Sequence, residues 1–160
     1  MFDEIEADII DLSSLYDGVN FIIIGDFNAR TGLFSDYVEC DTDDHVQVGD
    51  NYCVDDDITK RANCDKETNH YGSKLLSLCK SAGLRIVNGR VDSDREGAFT
   101  CVTPNGTSTV DYMLVSHSMF NDVTDFRVGC MIESDHMPLE LTLKALHKKA
   151  LRKLTANVEV

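Results

Sequence analysis

Along the first fifteen residues, apolar side chains fall at Phe2, Ile5, Ile9, Leu12 and Leu15. Steps of three and four place them on one stripe of a 3.6-residue repeat, which predicts an amphipathic helix. Asp17-Gly18 breaks it. A continuous apolar run at 21–24 then stops at Gly25, and residues 20–24 read as a strand buried on both faces. Residues 32–65 hold few aliphatics and no steady period, so they read as a long loop with a little strand at 46–48. The helical period returns over 69–82, where Leu75, Leu76, Leu78, Cys79 and Ala82 make the apolar face and Gly83 the stop. Residues 84–87 form a short strand closed by Asn88-Gly89. Alternation at 99–103, the turn Pro104-Asn105-Gly106 and a returning stretch at 107–116 predict a hairpin. Two more strands are expected at 126–131 and 139–143. This order of elements predicts an α/β domain over 1–143, with 144–160 as a basic helical extension or tail.

Composition narrows what the domain can do. A chain of 160 residues with a formal charge of −13 does not adhere broadly to nucleic acid or to an anionic membrane. A nuclease stays compatible with that charge, because a bound divalent cation reverses the local field where it matters. The acids are uneven: nine lie between Asp36 and Asp57, with no Lys or Arg among them. Such a run reads as a solvated face. Asp41, Asp43 and Asp44 hint at a calcium loop, but the glycine and glutamate that loop needs are missing. The first eleven residues carry five acids and no base, unlike a secretory or transit segment. No apolar run is long enough for a membrane span. The six cysteines, none in a Cys-x-x-Cys pair, then read as reduced thiols of a nuclear or cytoplasmic protein that is not secreted. A zinc site is the weaker reading of them.

Three short stretches place chemistry at strand ends: Gly25-Asp26-Phe27-Asn28, Val110-Asp111-Tyr112 and Ser134-Asp135-His136. Singly, each is a common turn or cap. Together they supply three carboxylates, a carboxamide and an imidazole. That inventory suits metal-assisted hydrolysis of a phosphoester. If Asp26 and Asn28 keep an extended spacing, their side chains point the same way.

With Ser108-Thr109-Val110-Asp111-Tyr112 and Ser134-Asp135-His136-Met137-Pro138-Leu139 downstream of Ile24-Gly25-Asp26-Phe27-Asn28-Ala29, the chain resembles the C-terminal half of the endonuclease/exonuclease/phosphatase (DNase I-like) superfamily. The Gly-Asp-Phe-Asn-Ala-Arg form and the stretch from Asn69 to Arg90 are most similar to retrotransposon-type endonucleases and host proteins derived from them. The resemblance implies part of a four-layer α/β sandwich, with mixed or antiparallel sheet and flanking helices. It implies hydrolysis of nucleic-acid phosphodiester bonds, most readily in DNA, with Mg²⁺ or Mn²⁺. Asp26 would orient and deprotonate water, Asn28 would hold the nucleophile or a phosphate oxygen, and His136 would contact the scissile phosphate. Asp111 would fix the His136 ring, and Asp135 with Asp26 would hold the metal. Thr100 or Ser108 is a looser candidate for phosphate. Tyr112 is read as packing, and Arg30 as a surface ion pair before a phosphate contact.

The family's N-terminal half carries an asparagine and a metal-binding glutamate with no counterpart here, and Glu4 and Glu6 lie on the first helix. The expectation is therefore a truncated, weak or inactive phosphodiesterase, with an upstream half-domain or a reverse-transcriptase domain in a longer protein. Two other readings accompany it: a non-catalytic interaction domain, and a phosphatase of phosphoinositides or other small phosphoesters.

Overall fold

The computed structural model describes residues 1–38 and 59–144. The strand expected at 46–48, the aspartates Asp41, Asp43 and Asp44, and residues 145–160 of the expected tail lie outside them. Helix α1 (Phe2–Leu15) has the expected bounds, with Asp3 and Glu4 in its first turn, where the helix dipole favours negative charge. Helix α2 (His70–Ser81) buries Leu75, Leu76, Leu78 and Cys79. Asn69 caps it, its side-chain oxygen accepting the Gly72 N–H at 2.7 Å. Among the described residues no helix is long and apolar enough to cross a membrane.

The strands are β1 (Ile22–Asp26), β2 (Leu84–Ile86), β3 (Cys101–Thr103), β4 (Gly106–Ser108), β5 (Asp111–Ser116), β6 (Val123–Val128) and β7 (Leu139–Leu143). Antiparallel pairing gives a sheet of order β1-β5-β2 and two hairpins, β3-β4 and β6-β7. Side chains alternate across β5. Tyr112 and Leu114 join Leu84, Ile86 and the helices in one core, and Met113 and Val115 join Val87 and Phe126 in a second. Partly buried Val123, Val128, Leu139 and Leu141 of the β6-β7 hairpin pack on this second core. Helices, central sheet and hairpin thus stack as three layers of an α/β sandwich with antiparallel sheets.

Several expectations shift. Strand β1 runs two residues later than expected and is not buried on both faces: Ile22 and Ile24 are 44% and 53% exposed. They share a face with Val115 and Met113, which the hairpin covers, but they lie on an edge strand with one paired neighbour among the described residues. An apolar run does not by itself reveal what lies against it. The returning stretch at 107–116 is two strands, because the Thr100 hydroxyl oxygen accepts the N–H groups of Val110 and Asp111 and interrupts the ladder. The strand expected at 126–131 is Val123–Val128. Asp36, read as part of a solvated acid run, is fully buried, where it accepts bonds from Arg90 and from the Ile86 N–H at 2.7 Å.

Candidate active site

Strand β1 ends at Asp26 and β5 begins at Asp111, and the register sets the two opposite each other. Directly opposed residues share a face, so both carboxylates meet at one end of the sheet. The 134–138 turn brings the third group. Its backbone is tied to the β3 region by Val102 N–H to Asp135 O at 2.8 Å and by Met137 N–H to Thr100 O at 2.7 Å. His136 Nδ1 then lies 3.0 Å from both Asp111 carboxylate oxygens. One ligating atom each from Asp26, Asp111 and His136 falls within 4.8 Å of the others.

Asp111 is held from three sides. Its N–H donates to Thr100 Oγ1 at 2.9 Å, its carbonyl accepts from Asn88 Nδ2 at 3.2 Å, and its carboxylate faces the imidazole. Asn88 also accepts the Met113 N–H at 3.0 Å, so one buried amide ties the chain after β2 to both sides of Tyr112. The hydrogen bond to Asp111 raises the His136 pKa above the usual imidazole value; burial opposes this, and the charges of Asp111, Asp26 and Asp135 add to it. Nδ1 is committed to Asp111 and Nε2 lies on the other side of the ring, 3.8 Å from Cys101 Sγ. The His136 side chain is 43% exposed, so the site is open to solvent.

Asp26 and Asn28 reach one side by a route the sequence reading missed. The strand stops at Asp26, and Phe27 turns into the core, stacking on Phe2 with ring centroids 6.2 Å apart. Asn28 takes a left-handed φ of 49°, which Asn tolerates better than most residues. Its N–H donates to Asp26 Oδ1 at 2.8 Å and its side-chain Nδ2 to Oδ2 at 3.4 Å. The pair is an Asx-type turn rather than an extended dipeptide. Asn69 then clamps the loop, donating to Asn28 O at 2.9 Å and accepting the Arg30 N–H at 3.0 Å. Gly72 lets α2 approach closely: a Cβ there would stand 1.9 Å from Arg30 O.

The remaining candidates separate clearly. Asp135 is exposed and lies outside the three-residue cluster, acting on His136 by charge. Thr100 is fully buried and its oxygen already accepts two backbone N–H groups, so it is a structural residue and not a phosphate contact. Ser108 is half-buried beside Cys101. Tyr112 packs as expected, its hydroxyl donating to Thr109 O at 2.8 Å. Arg30 makes the ion pair anticipated for it, but with an interior partner: Nε and Nη2 reach Asp65 at 2.8 and 2.7 Å, and Asp65 is buried. Sequence reading missed Asn69 and Asn88 as positioning residues, although an Asn directly before a helix is itself a capping signal.

A carboxylate pair opposed across two antiparallel strands, with an imidazole locked to one of them, is consistent with the endonuclease/exonuclease/phosphatase type that the motifs resemble. Comparison with known families agrees: the family described as endonuclease-reverse transcriptase matches residues 1–140. The chain belongs to that family. No curated protein matches it.

Proposed function

We propose that this site hydrolyses phosphodiester bonds of nucleic acid, DNA before RNA, with the help of Mg²⁺ or Mn²⁺. The observation that carries the reading is the convergence of Asp26, Asp111 and His136 in a member of an endonuclease family. Hard oxygen donors suit these ions; Asp26, in the cluster, would hold the ion, with exposed Asp135, which lies outside the cluster, as a second carboxylate. The ion, when bound, supplies positive charge against the phosphate. The chain's own groups do the rest. Asp26, oriented by Asn28, accepts a proton from the attacking water. Asn28 keeps capacity in its amide for a phosphate oxygen. Asp111 accepts from His136 Nδ1 and favours the imidazolium, whose second N–H, on Nε2, then faces the phosphate as a donor. Because Asp26 and His136 stand in water, their electrostatic leverage is small and turnover is low. The proposal includes a reverse transcriptase in the same protein, as the family's description pairs the two, and action in the nucleus or cytoplasm.

Cleavage of DNA, RNA and a small phosphomonoester with and without Mn²⁺ separates the readings. Metal-dependent nicking of DNA that falls by about 10²-fold or more in His136→Ala supports it, the range expected for one acid–base group. Phosphomonoester turnover without nicking favours the phosphatase. DNA binding without any cleavage favours an interaction domain.

A further inference from the structure

A cavity of about 210 Å³, none of whose lining residues belongs to the Asp26 cluster, opens beside Phe34 and Tyr37. Its charged lining is cationic, from Lys60, Arg61 and Arg90, in a chain of 28 acids against 15 bases. Arg90 pairs directly with buried Asp36, two of its nitrogens bonding both carboxylate oxygens. Arg61 feels the same Asp36 charge but makes no hydrogen bond to it among the described residues. Its Nη2 donates to Thr31 Oγ1 at 2.7 Å and Gly32 O at 3.2 Å, both uncharged, while Nε and Nη1 are buried with no hydrogen-bond partner among the described residues. A guanidinium stays charged even where burial pushes its pKa down. Among the described residues, two guanidiniums thus share one carboxylate beside the cavity, and the net positive charge they leave there is one that an anion completes. The neutral anchors on Nη2 hold the group in place without neutralising it. Exposed Lys60 adds a second positive charge to the lining, and Phe34, 65% exposed, adds an apolar wall.

We propose that this cavity is an oxyanion site that takes a phosphate group, either free or as the terminal phosphate of a nucleotide, with Arg61 as the charge that selects it and Lys60 assisting. Calorimetric titration of the metal-free full chain with inorganic phosphate, with adenosine 5′-monophosphate and with adenosine, at constant ionic strength, tests this. Phosphate binds, and Arg61→Met weakens it by at least about tenfold, the loss of one charge-assisted contact. Lys60→Met weakens it several-fold; it is an exposed change and carries the test should Arg61→Met not fold. Binding of the monophosphate tighter than phosphate, with adenosine silent, identifies a nucleotide as the source, and equal binding identifies free phosphate. Arg95→Met, an exposed arginine outside both the cavity and the cluster, leaves the phosphate affinity unchanged, and Asp26→Asn and His136→Ala distinguish binding in the cavity from binding at the cluster. No binding at millimolar phosphate, binding indifferent to both cavity variants, or binding lost in the Asp26 or His136 variants overturns the proposal. The last outcome places the anion at the cluster instead, and none of the three bears on whether that cluster cleaves DNA.

Discussion

At the scale of single residues, the site depends on side chains that act through backbone. Asp111 sets the protonation of His136, and the sign of that coupling has a consequence. Because the folded pKa of His136 is raised, the pair stabilises the fold fully below the ordinary histidine value of about 6.5. That contribution is lost as pH rises through the raised folded value. In metal-free protein, proton NMR of the ring should show His136 titrating above the ordinary value, and Asp111→Asn should return it toward that value. Asn69 has two duties, capping α2 and gripping the loop on both sides of Ala29. Asn69→Ala should cost about 1–2 kcal/mol in urea denaturation, the range for a lost N-cap. It should also lower nicking, because the turn that aims Asp26 and Asn28 is freed. These duties were only partly legible in the sequence. Asp26, Asn28, Asp111 and His136 stood out by their motifs, and their types announced acid–base chemistry. Asn69 and Asn88 did not, because an amide that bonds distant backbone looks like any turn former until the chain is folded.

At the scale of elements, what could be read and what could not divide along the period. Helix α1 and strand β7 have the expected bounds, since each carries its pattern from end to end. The stretch at 107–116 keeps strand-like composition throughout, yet one hydroxyl, Thr100 Oγ1, takes the two N–H groups that would have continued the ladder. Nothing local in the sequence marks that interruption. Strand β1 misled for a different reason: its apolar run is real, but Ile22 and Ile24 face solvent. The junction of α2 with the site loop depends on Gly72, whose missing side chain admits the Arg30 carbonyl. Gly72→Ala should destabilise the protein by about 1–3 kcal/mol or more as the helix is pushed off, despite alanine's better helix propensity. Chemical denaturation would read that loss, and a stabilised variant would contradict the packing described for α2.

At the scale of the whole molecule, the charge distribution matters more than the total. The chain carries −13, yet its interior holds ion pairs that its acidic composition does not announce. Burial opposes ionisation of Asp36, but the hydrogen bonds and charge of Arg90 outweigh it and hold its pKa below the ordinary carboxylate value. Asp65, buried against Arg30, shifts the same way. Both therefore stabilise the fold above the ordinary carboxylate pKa and lose that contribution as pH falls through their lowered values. Asp36→Ala, which strands Arg90, should cost about 3–5 kcal/mol. Thermal unfolding followed by circular dichroism would show it as a large drop in midpoint at pH 7. The layers leave the sheet end carrying Asp26 and Asp111 open beside His136, and the hydrolysis proposed for that end can be measured directly. The decisive measurement is nicking of supercoiled DNA by the purified chain in Mn²⁺, beside Asp26→Asn and His136→Ala. Slow nicking that requires the metal and disappears in both variants is the predicted result. No metal-dependent nicking above background, or nicking that survives either substitution, would contradict it.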